Sequence, residues 1–284
     1  MFEVCVPATS GNLGSGFDSL GLALNIYGRF VFEEVPSPPS DKSHLTIKAY
    51  QRALQWMNTT GPHLQVQTPQ VIPVGKGLGS SAACIVAGVL AARYMSGKNI
   101  PIQVLLQMAT EIEGHPDNVA PALFGGLVSS GWRDKKVFSG KLPLSKKISF
   151  ALLIPSFSLS TSKARNVLPK RIPFSDAVYN LSQLGLSISA LASGDSELIR
   201  HAFDDRLHQP YRFPLIEEAD HLIGIAKKSG ALAVTLSGAG PSLLLIRQEG
   251  DRLEELIPRL AEFKNHWELR LCLPDMEGAI LRGL

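Results

Sequence analysis

Apolar and polar positions alternate over residues 2–7, with Phe2, Val4 and Val6 against Glu3 and Cys5, which predicts an opening strand. Residues 8–18 (ATSGNLGSGFD) break that period. Their glycines and serines predict an irregular loop that carries Asn12 and Asp18 between apolar flanks. Residues 20–25 and 27–35 read as two more strands, closed by the breakers Pro36-Ser37-Pro38-Pro39. The period turns helical over 43–58 and stops at Thr59-Thr60-Gly61-Pro62. A short strand at 64–68 leads to Val71, Ile72 and Val74, a strand-like approach to the glycine cluster Gly75-Lys76-Gly77-Leu78-Gly79. From Ser80 to Leu90 the chain is apolar on nearly every side of a helical wheel, broken only by Ser81, Cys84 and Gly88, so this helix is expected to be buried.

Residues 101–112 form an amphipathic helix, with Ile102, Leu105, Leu106, Ala109 and Ile112 on one face, delivering Glu111 and Glu113 to a loop at 114–118. Residues 119–123 then approach Gly125-Gly126, a turn into a strand. Polar residues and a proline at 139–147 mark a boundary, giving two domains, 1–145 and 146–284. The second half reads as a strand at 148–155, helices at 176–192 and 217–229, and strands at 231–237 and 243–247. A helix at 252–264, which Pro258 must kink or split, and a strand at 268–273 complete it. Strands and helices mix without strict βαβ alternation, so the fold class is α+β.

Composition narrows the classes of function. The 284 residues are 45% hydrophobic and 19% charged, with a net charge of +3 and no runs of Lys or Arg, which argues against a nucleic-acid partner. Cys5, Cys84 and Cys272 lie in apolar segments and read as reduced core residues, not a disulfide or metal framework. No signal peptide is evident at the N-terminus, and the apolar helix is too short for a bilayer. A soluble cytoplasmic protein without membrane contact is expected.

The candidate chemistry centres on residues 75–81. Three glycines in five residues allow positive φ and close approach of the backbone to a ligand. Ser80 and Ser81 offer N-cap oxygens and magnesium-type ligands at a helix start, where free N–H groups and the helix dipole favour a phosphate. The stretch fails as a Walker A loop because Lys76 does not abut the serines, and as a dinucleotide fingerprint because Ser80 replaces the third glycine. Glu113 with His115, Asp117 and Asn118 is the densest polar cluster of the first half. A glutamate opposite a serine suits Mg²⁺, which takes one or two carboxylates plus phosphate oxygens. Arg165 and Arg212 suit a bidentate grip on a carboxylate. Residues 237–242 (SGAGPS) add a third glycine loop, and three such loops favour a phosphate-handling enzyme over simple turns.

These loops, in this order, resemble the three motifs of the GHMP small-molecule kinase superfamily; Pro73 to Ala82 matches P-x-x-x-G-L-G-S-S-A throughout. Within that group the chain most resembles the homoserine kinase family, through the first motif at 7–18, EGHPDNVAP from Glu113, STSKARNVLP from Ser160, DRLHQP from Asp205 and LSGAGP from Leu236. Gly11 and Ser15 depart from the alanine and proline usual in the first motif, and Lys76 from the common arginine. The resemblance implies a ribosomal-protein-S5-like N-terminal domain, a ferredoxin-like C-terminal domain, and ATP-dependent phosphorylation of the side-chain hydroxyl of L-homoserine on the route to threonine. It implies that Pro73, Lys76, Gly77, Leu78, Gly79, Ser80, Ser81 and Ala82 bind ATP, with Gly238, Ala239 and Gly240 behind them. Ser81 and Glu113 would hold Mg²⁺. Asn12, Asp18, His115, Arg165 and Arg212 would line the amino-acid pocket. Asp117 is the nearest candidate for a general base, with Asn118 the alternative occupant of that spot; the reading adopted is that no dedicated base operates. A homodimer is implied by the resemblance alone. The rivals are a sibling kinase for shikimate or mevalonate, which lack the amino group that Asp18 suits, and a non-catalytic metabolite sensor.

Overall fold

A computed structural model describes residues 1–39, 43–248 and 250–284. The elements run in the order β1 (Phe2–Gly11), β2 (Leu20–Val35), α1 (Leu45–Trp56), β3 (His63–Gln70), α2 (Ser80–Ser96), α3 (Ile102–Glu113), α4 (Pro116–Phe124), β4 (Leu127–Arg133) and β5 (Lys136–Leu142). There follow β6 (Ile148–Pro155), α5 (Thr161–Asn166), α6 (Phe174–Ser193), α7 (Ser196–His201), α8 (Gln209–Arg212), α9 (Ala219–Lys228), β7 (Ala233–Leu236), β8 (Leu243–Gln248), α10 (Leu256–Leu260), β9 (Trp267–Cys272) and β10 (Ile280–Gly283). The strands form two antiparallel sheets. One has the order β10-β1-β2-β4-β5 with β3 also on β2; the other has the order β7-β8-β6-β9. The chain is α+β, as the mixed pattern predicts.

In the first layer α2 is the centre of the core. Ala82, Ala83, Ile85, Val86, Ala87, Val89, Leu90, Ala91 and Ala92 are all buried, which matches an apolar run with no polar face. Gly88 lets α1 approach, since a Cβ there would meet the Thr46 carbonyl and the Ala49 methyl. In the second sheet both faces of β6 are covered. Phe150, Leu152 and Ile154 join the large core, while Ala151 and Leu153 pack with Leu222, Ile225 and Trp267 in a smaller one.

Several local expectations change. β1 continues through Ala8-Thr9-Ser10-Gly11, because register-shifted pairing with residues 21–24 of β2 supplies the partners that local sequence could not reveal. β2 is one 16-residue strand, whose start pairs with β4 and whose end pairs with β3. Val71 and Val74 are not strand residues; β3 ends at Gln70, and Val74 is 74% exposed. The expected loop at 114–118 is confined to Gly114 and His115, and residues 116–118 open α4, with Pro116 in the first turn, where its missing N–H costs nothing. Pro258 likewise sits in the first turn of α10, and the break falls before it, at a 3-10 turn over Leu253–Glu255. The hairpin β4–β5 was not anticipated. Neither was β10, which returns from the end of the chain to pair with β1.

Candidate active site

Gly79 is the N-cap of α2, at φ 70° and without a side-chain cap, so the expected serine cap is absent and Ser80 and Ser81 are the first helical residues. The loop ahead of it is left-handed at Gly75 (φ 69°) and Gly77 (φ 73°). A Cβ at Gly77 would run into the carbonyls of Ser237 and Gly240, and one at Gly79 into the Thr9 hydroxyl. The loop's carbonyls are held from outside. Leu159 N donates to Gly75 O (3.0 Å), Ser242 N to Lys76 O (3.3 Å) and Thr9 N to Leu78 O (3.1 Å). The Ser237 hydroxyl donates to Gly77 O at 2.7 Å. With those acceptors satisfied, the free N–H groups of the first turn of α2 front a cavity of about 250 Å³. Backbone donors at the positive end of a buried helix make this an anion site.

On one wall of that cavity the Ser81 hydroxyl donates to Glu113 Oε2 at 2.7 Å. Glu113 is the last residue of α3, released by Gly114 at φ 96°. Burial pushes its carboxyl pKa up, against the opposing hydrogen bond from Ser81 and charge of His115. No group of three or more His, Cys, Asp or Glu side chains able to hold a metal occurs among the described residues. One hydroxyl and one carboxylate beside an anion site fit Mg²⁺, which completes its octahedron with phosphate oxygens and water.

At the opposite end, β1 leads into Asn12 (φ 72°), Leu13 (φ 49°) and, beyond them, Asp18 (φ 54°), all in the left-handed region. Asn12 Nδ2 donates to Gly238 O (2.7 Å) and Asn12 Oδ1 accepts from Asp18 N (3.0 Å), so Asn12 ties the first motif to the third. Asp18 and Arg165 form a two-pronged pair, Nη1 to Oδ2 at 3.0 Å and Nη2 to Oδ1 at 2.8 Å. Arg212, on α8, is 2% exposed. Its Nε donates to Ala164 O (3.1 Å) and its Nη1 to Gly238 O (3.3 Å). Among the described residues it has no carboxylate within ion-pair distance. Burial, then the charge of Arg165, brings its pKa down to about 10. A buried cation without a counterion, facing a cavity, is a site waiting for an anion.

His208 explains how that cation is held, although sequence reasoning had only quoted it within a motif. It is fully buried, and its Nε2 lies 2.8 Å from Gly14 O, which can only accept, so Nε2 carries the proton. Burial lowers its pKa, leaving Nδ1 neutral and free to accept from Arg212 Nη1 at 3.3 Å. Asp205 fixes this turn by accepting from the N–H groups of Leu207, His208 and Gln209. Between the two ends sit His115, Asp117 and Asn118. His115 Nδ1 lies 2.6 Å from Asp117 Oδ1, and Asn118 Oδ1 accepts from the Thr9 hydroxyl at 2.9 Å. Burial would lower the His115 pKa, but the hydrogen bond and charge of Asp117, with Glu113, more than offset it and the net shift is upward. Gly11 has no room for a side chain, because the Asp117 carboxylate and Asn118 amide fill that space.

The cavity thus gathers Asn12, Asp18, Gly77, Leu78, Gly79, Ser80, Ser81, Glu113, His115, Asp117, Asn118, Arg165, Arg212, Gly238 and Ala239. Pro73, Lys76, Ala82 and Gly240 are not among its lining residues. The Lys76 ammonium turns away, donating to the Ser156 and Phe157 carbonyls at 2.7 Å each. Gly75, the first glycine of the expected loop, also lines it, and Leu159 and Thr161 do so without having been singled out. A second, apolar cavity of about 310 Å³ adjoins at Ser80 and Ser81, walled by Phe30, Leu45, Val71, Ile72, Val74 and Cys84. The exposed valines mistaken for strand residues were its signal.

Comparison with known proteins agrees with this geometry. The family described as GHMP kinases N terminal domain matches residues 44–126, and GHMP kinases C terminal matches 187–266. A homoserine kinase of Clostridium botulinum (strain Langeland) is 40% identical over 100% of this chain and 99% of its own length. One from Clostridium beijerinckii is 41% identical with the same coverage. The crystal structure of homoserine kinase from Cytophaga hutchinsonii superposes with a TM-score of 0.89 at 27% identity, covering 99% of this chain and 96% of that one. The chain belongs to the homoserine kinase family of the two-domain GHMP kinases.

Proposed function

We propose that this enzyme transfers the γ-phosphoryl group of ATP to the side-chain hydroxyl of L-homoserine, giving O-phospho-L-homoserine for threonine biosynthesis. One observation carries the reading. A single cavity has a helix-start anion site at one end and, at the other, a carboxylate (Asp18) and two guanidiniums (Arg165 and Arg212), the counterparts of an α-amino acid's two charges. The N–H groups of Ser80 and Ser81 hold the phosphates, and the apolar cavity walled by Val71, Ile72 and Val74 takes the adenine ring. Ser81 and Glu113 would hold Mg²⁺, which would supply charge neutralisation on the phosphates. Asp18 takes the substrate ammonium, and Arg165 and Arg212 its carboxylate, leaving the hydroxyl end directed at the phosphate loop.

Phosphoryl transfer needs positioning and charge stabilisation more than covalent help. Asp117 and His115 are bound to each other, and Asn118 is engaged by Thr9, so these three shape the acceptor's path without a free, dedicated base. Residues 1–145 are the nucleotide-binding unit and 146–284 the second unit in this reading, except that β10 (280–283) returns to the first sheet, with Gly238 and Ala239 reaching the site from the second unit. No helix among the described residues is long and apolar enough to cross a membrane; a cytoplasmic location is part of this proposal. The uncharged stripe Phe174, Val178 and Leu181 on α6, with Phe174 84% exposed, supports a homodimer. The test is a coupled ADP-release assay over L-homoserine, shikimate and mevalonate. Turnover confined to homoserine is expected; a preference for either acid would reassign the acceptor, and no turnover with any would favour a sensor.

A further inference from the structure

We propose that the Asp18–Arg165 pair is an internal substitute for the substrate, one that makes the acceptor site select molecules carrying both an ammonium and a carboxylate. The inference rests on the acceptor reading above and goes beyond it, because it concerns what the two groups do to each other before anything binds.

The two groups assigned to opposite ends of the amino acid are paired with each other. The geometry is the fork-to-fork arrangement that an Arg makes with a substrate carboxylate, at 3.0 and 2.8 Å. Asp18 therefore occupies on Arg165 the place a substrate carboxylate would take. Both side chains are about one-third exposed and line the cavity, so a ligand can reach the pair. Asp18 is held from behind: its backbone is left-handed at φ 54° and its N–H is bound by Asn12 Oδ1. Arg165 lies on α5, whose start is capped by the Ser160 hydroxyl accepting from Lys163 N. The Phe17 ring supports both guanidiniums, 5.8 Å from Arg165 and 5.2 Å from Arg212. Among the described residues Arg212 is the member of the trio with no carboxylate in ion-pair distance, and it lines the same cavity.

An α-amino acid can then enter by exchange. Its carboxylate replaces Asp18 on Arg165 and adds to Arg212, while its ammonium replaces Arg165 on Asp18. Every charge then has an opposite neighbour, the substrate carboxylate being shared by the two guanidiniums. A hydroxy acid without the amine releases Asp18 unpaired beside a second anion. An amino alcohol without the carboxylate releases Arg165 unpaired beside Arg212. A group left unpaired at a partly buried site costs more than a missing bond, so each one-charge analogue suffers twice. Were Asp18 and Arg165 merely independent contacts, each analogue would lose only the bond it cannot make, and removing the unused contact would not help it.

The probes are 4-hydroxybutanoate, which is homoserine without its amine, and 3-aminopropan-1-ol, which is homoserine without its carboxylate. Their binding is measured by calorimetry to the full-length wild type and to Asp18→Asn, Arg165→Gln and the double variant, with urea unfolding of each ligand-free protein. Exchange predicts that Asp18→Asn binds 4-hydroxybutanoate about tenfold more tightly than wild type while homoserine weakens. It predicts the mirror result for Arg165→Gln with 3-aminopropan-1-ol. The urea midpoints should show coupling between the two substitutions without ligand. Analogue affinities no better in the single variants than in the wild type would overturn the proposal, as would additive midpoints. Failure of the wild type to phosphorylate homoserine would instead strike the proposed function, since calorimetry with the analogues needs no turnover.

Discussion

In an Arg212→Met variant an unbranched apolar side chain takes the place of a guanidinium that is 2% exposed. Burial and the neighbouring Arg165 bring the pKa of that guanidinium down from its ordinary value to about 10. The charged form is therefore disfavoured in the folded protein by about 3 kcal/mol. The sign follows from linkage. For a cation whose folded pKa is lowered, the penalty is fully present below about 10 and fades as pH rises beyond that toward the ordinary guanidinium value, so at neutral pH the whole of it applies. Methionine removes that penalty and also the bonds to Ala164 O, Gly238 O and His208 Nδ1, about 1 kcal/mol each. The net change in stability should lie within about 1 kcal/mol of zero, far from the ~3–5 kcal/mol typical of breaking a buried ion pair. The acceptor, in contrast, loses a charge-assisted contact of roughly 1.5–3 kcal/mol, which raises its KM by about 10- to 150-fold. The KM for ATP should stay within about threefold, because Arg212 does not touch the phosphate loop. Urea unfolding and steady-state kinetics in both substrates read these quantities. A stability loss above about 3 kcal/mol, or an equal rise in both KM values, would refute the view of Arg212 as a strained cation held for an anion.

Glu113→Gln should raise the urea midpoint slightly at neutral pH, since burial disfavours its carboxylate, while the magnesium requirement for ATP use rises sharply. Ser81→Ala should shift the magnesium dependence the same way, and unchanged titrations would remove both as ligands. Asp117→Asn should keep kcat within about tenfold if no base operates, whereas a fall of about a hundredfold or more would establish one. The His115 pKa is raised above 6.5, so its pairing with Asp117 contributes stability that is full below 6.5 and is lost as pH rises through the folded pKa. A urea midpoint that declines across that window in the wild type and not in His115→Gln is the expected pattern.

The parts of the site that were legible are those that local physics dictates. Gly77, Gly79 and the apolar run after Ser81 announce a loop that must turn left-handed before a buried helix, and the loop and α2 are built that way. The helix α3 ends at Glu113 because Gly114 follows it. Features that depend on distant partners were not legible from the residues near them. Thr9-Ser10-Gly11 look like a turn until β2 lies beside them. Val71 and Val74 look like a strand until β3 is found to end first, leaving them free to wall a cavity. Arg212 could be proposed as a carboxylate ligand, but its dependence on His208, and the proton position on that ring, follow only from the approach of Gly14, 194 residues earlier in the chain. Likewise nothing in the sequence pairs Asp18 with Arg165, 147 positions apart.

The return of β10 to β1 has a consequence for how this protein comes into being. Phe2 pairs with Gly283 and Cys5 with Ile280, and Leu284 N reaches Met1 O at 3.4 Å. The first sheet is therefore completed by residues 280–283, which are synthesised only after the second sheet. During translation β1 must wait with an unpaired edge until the whole second half has been made, an exposure that invites pairing with other nascent chains. Cutting the gene at residue 145 would not liberate a complete first unit, because residues 280–283 supply one strand of its sheet. Joining the two termini by a short linker and opening the chain elsewhere would bring the edge and its cover together early.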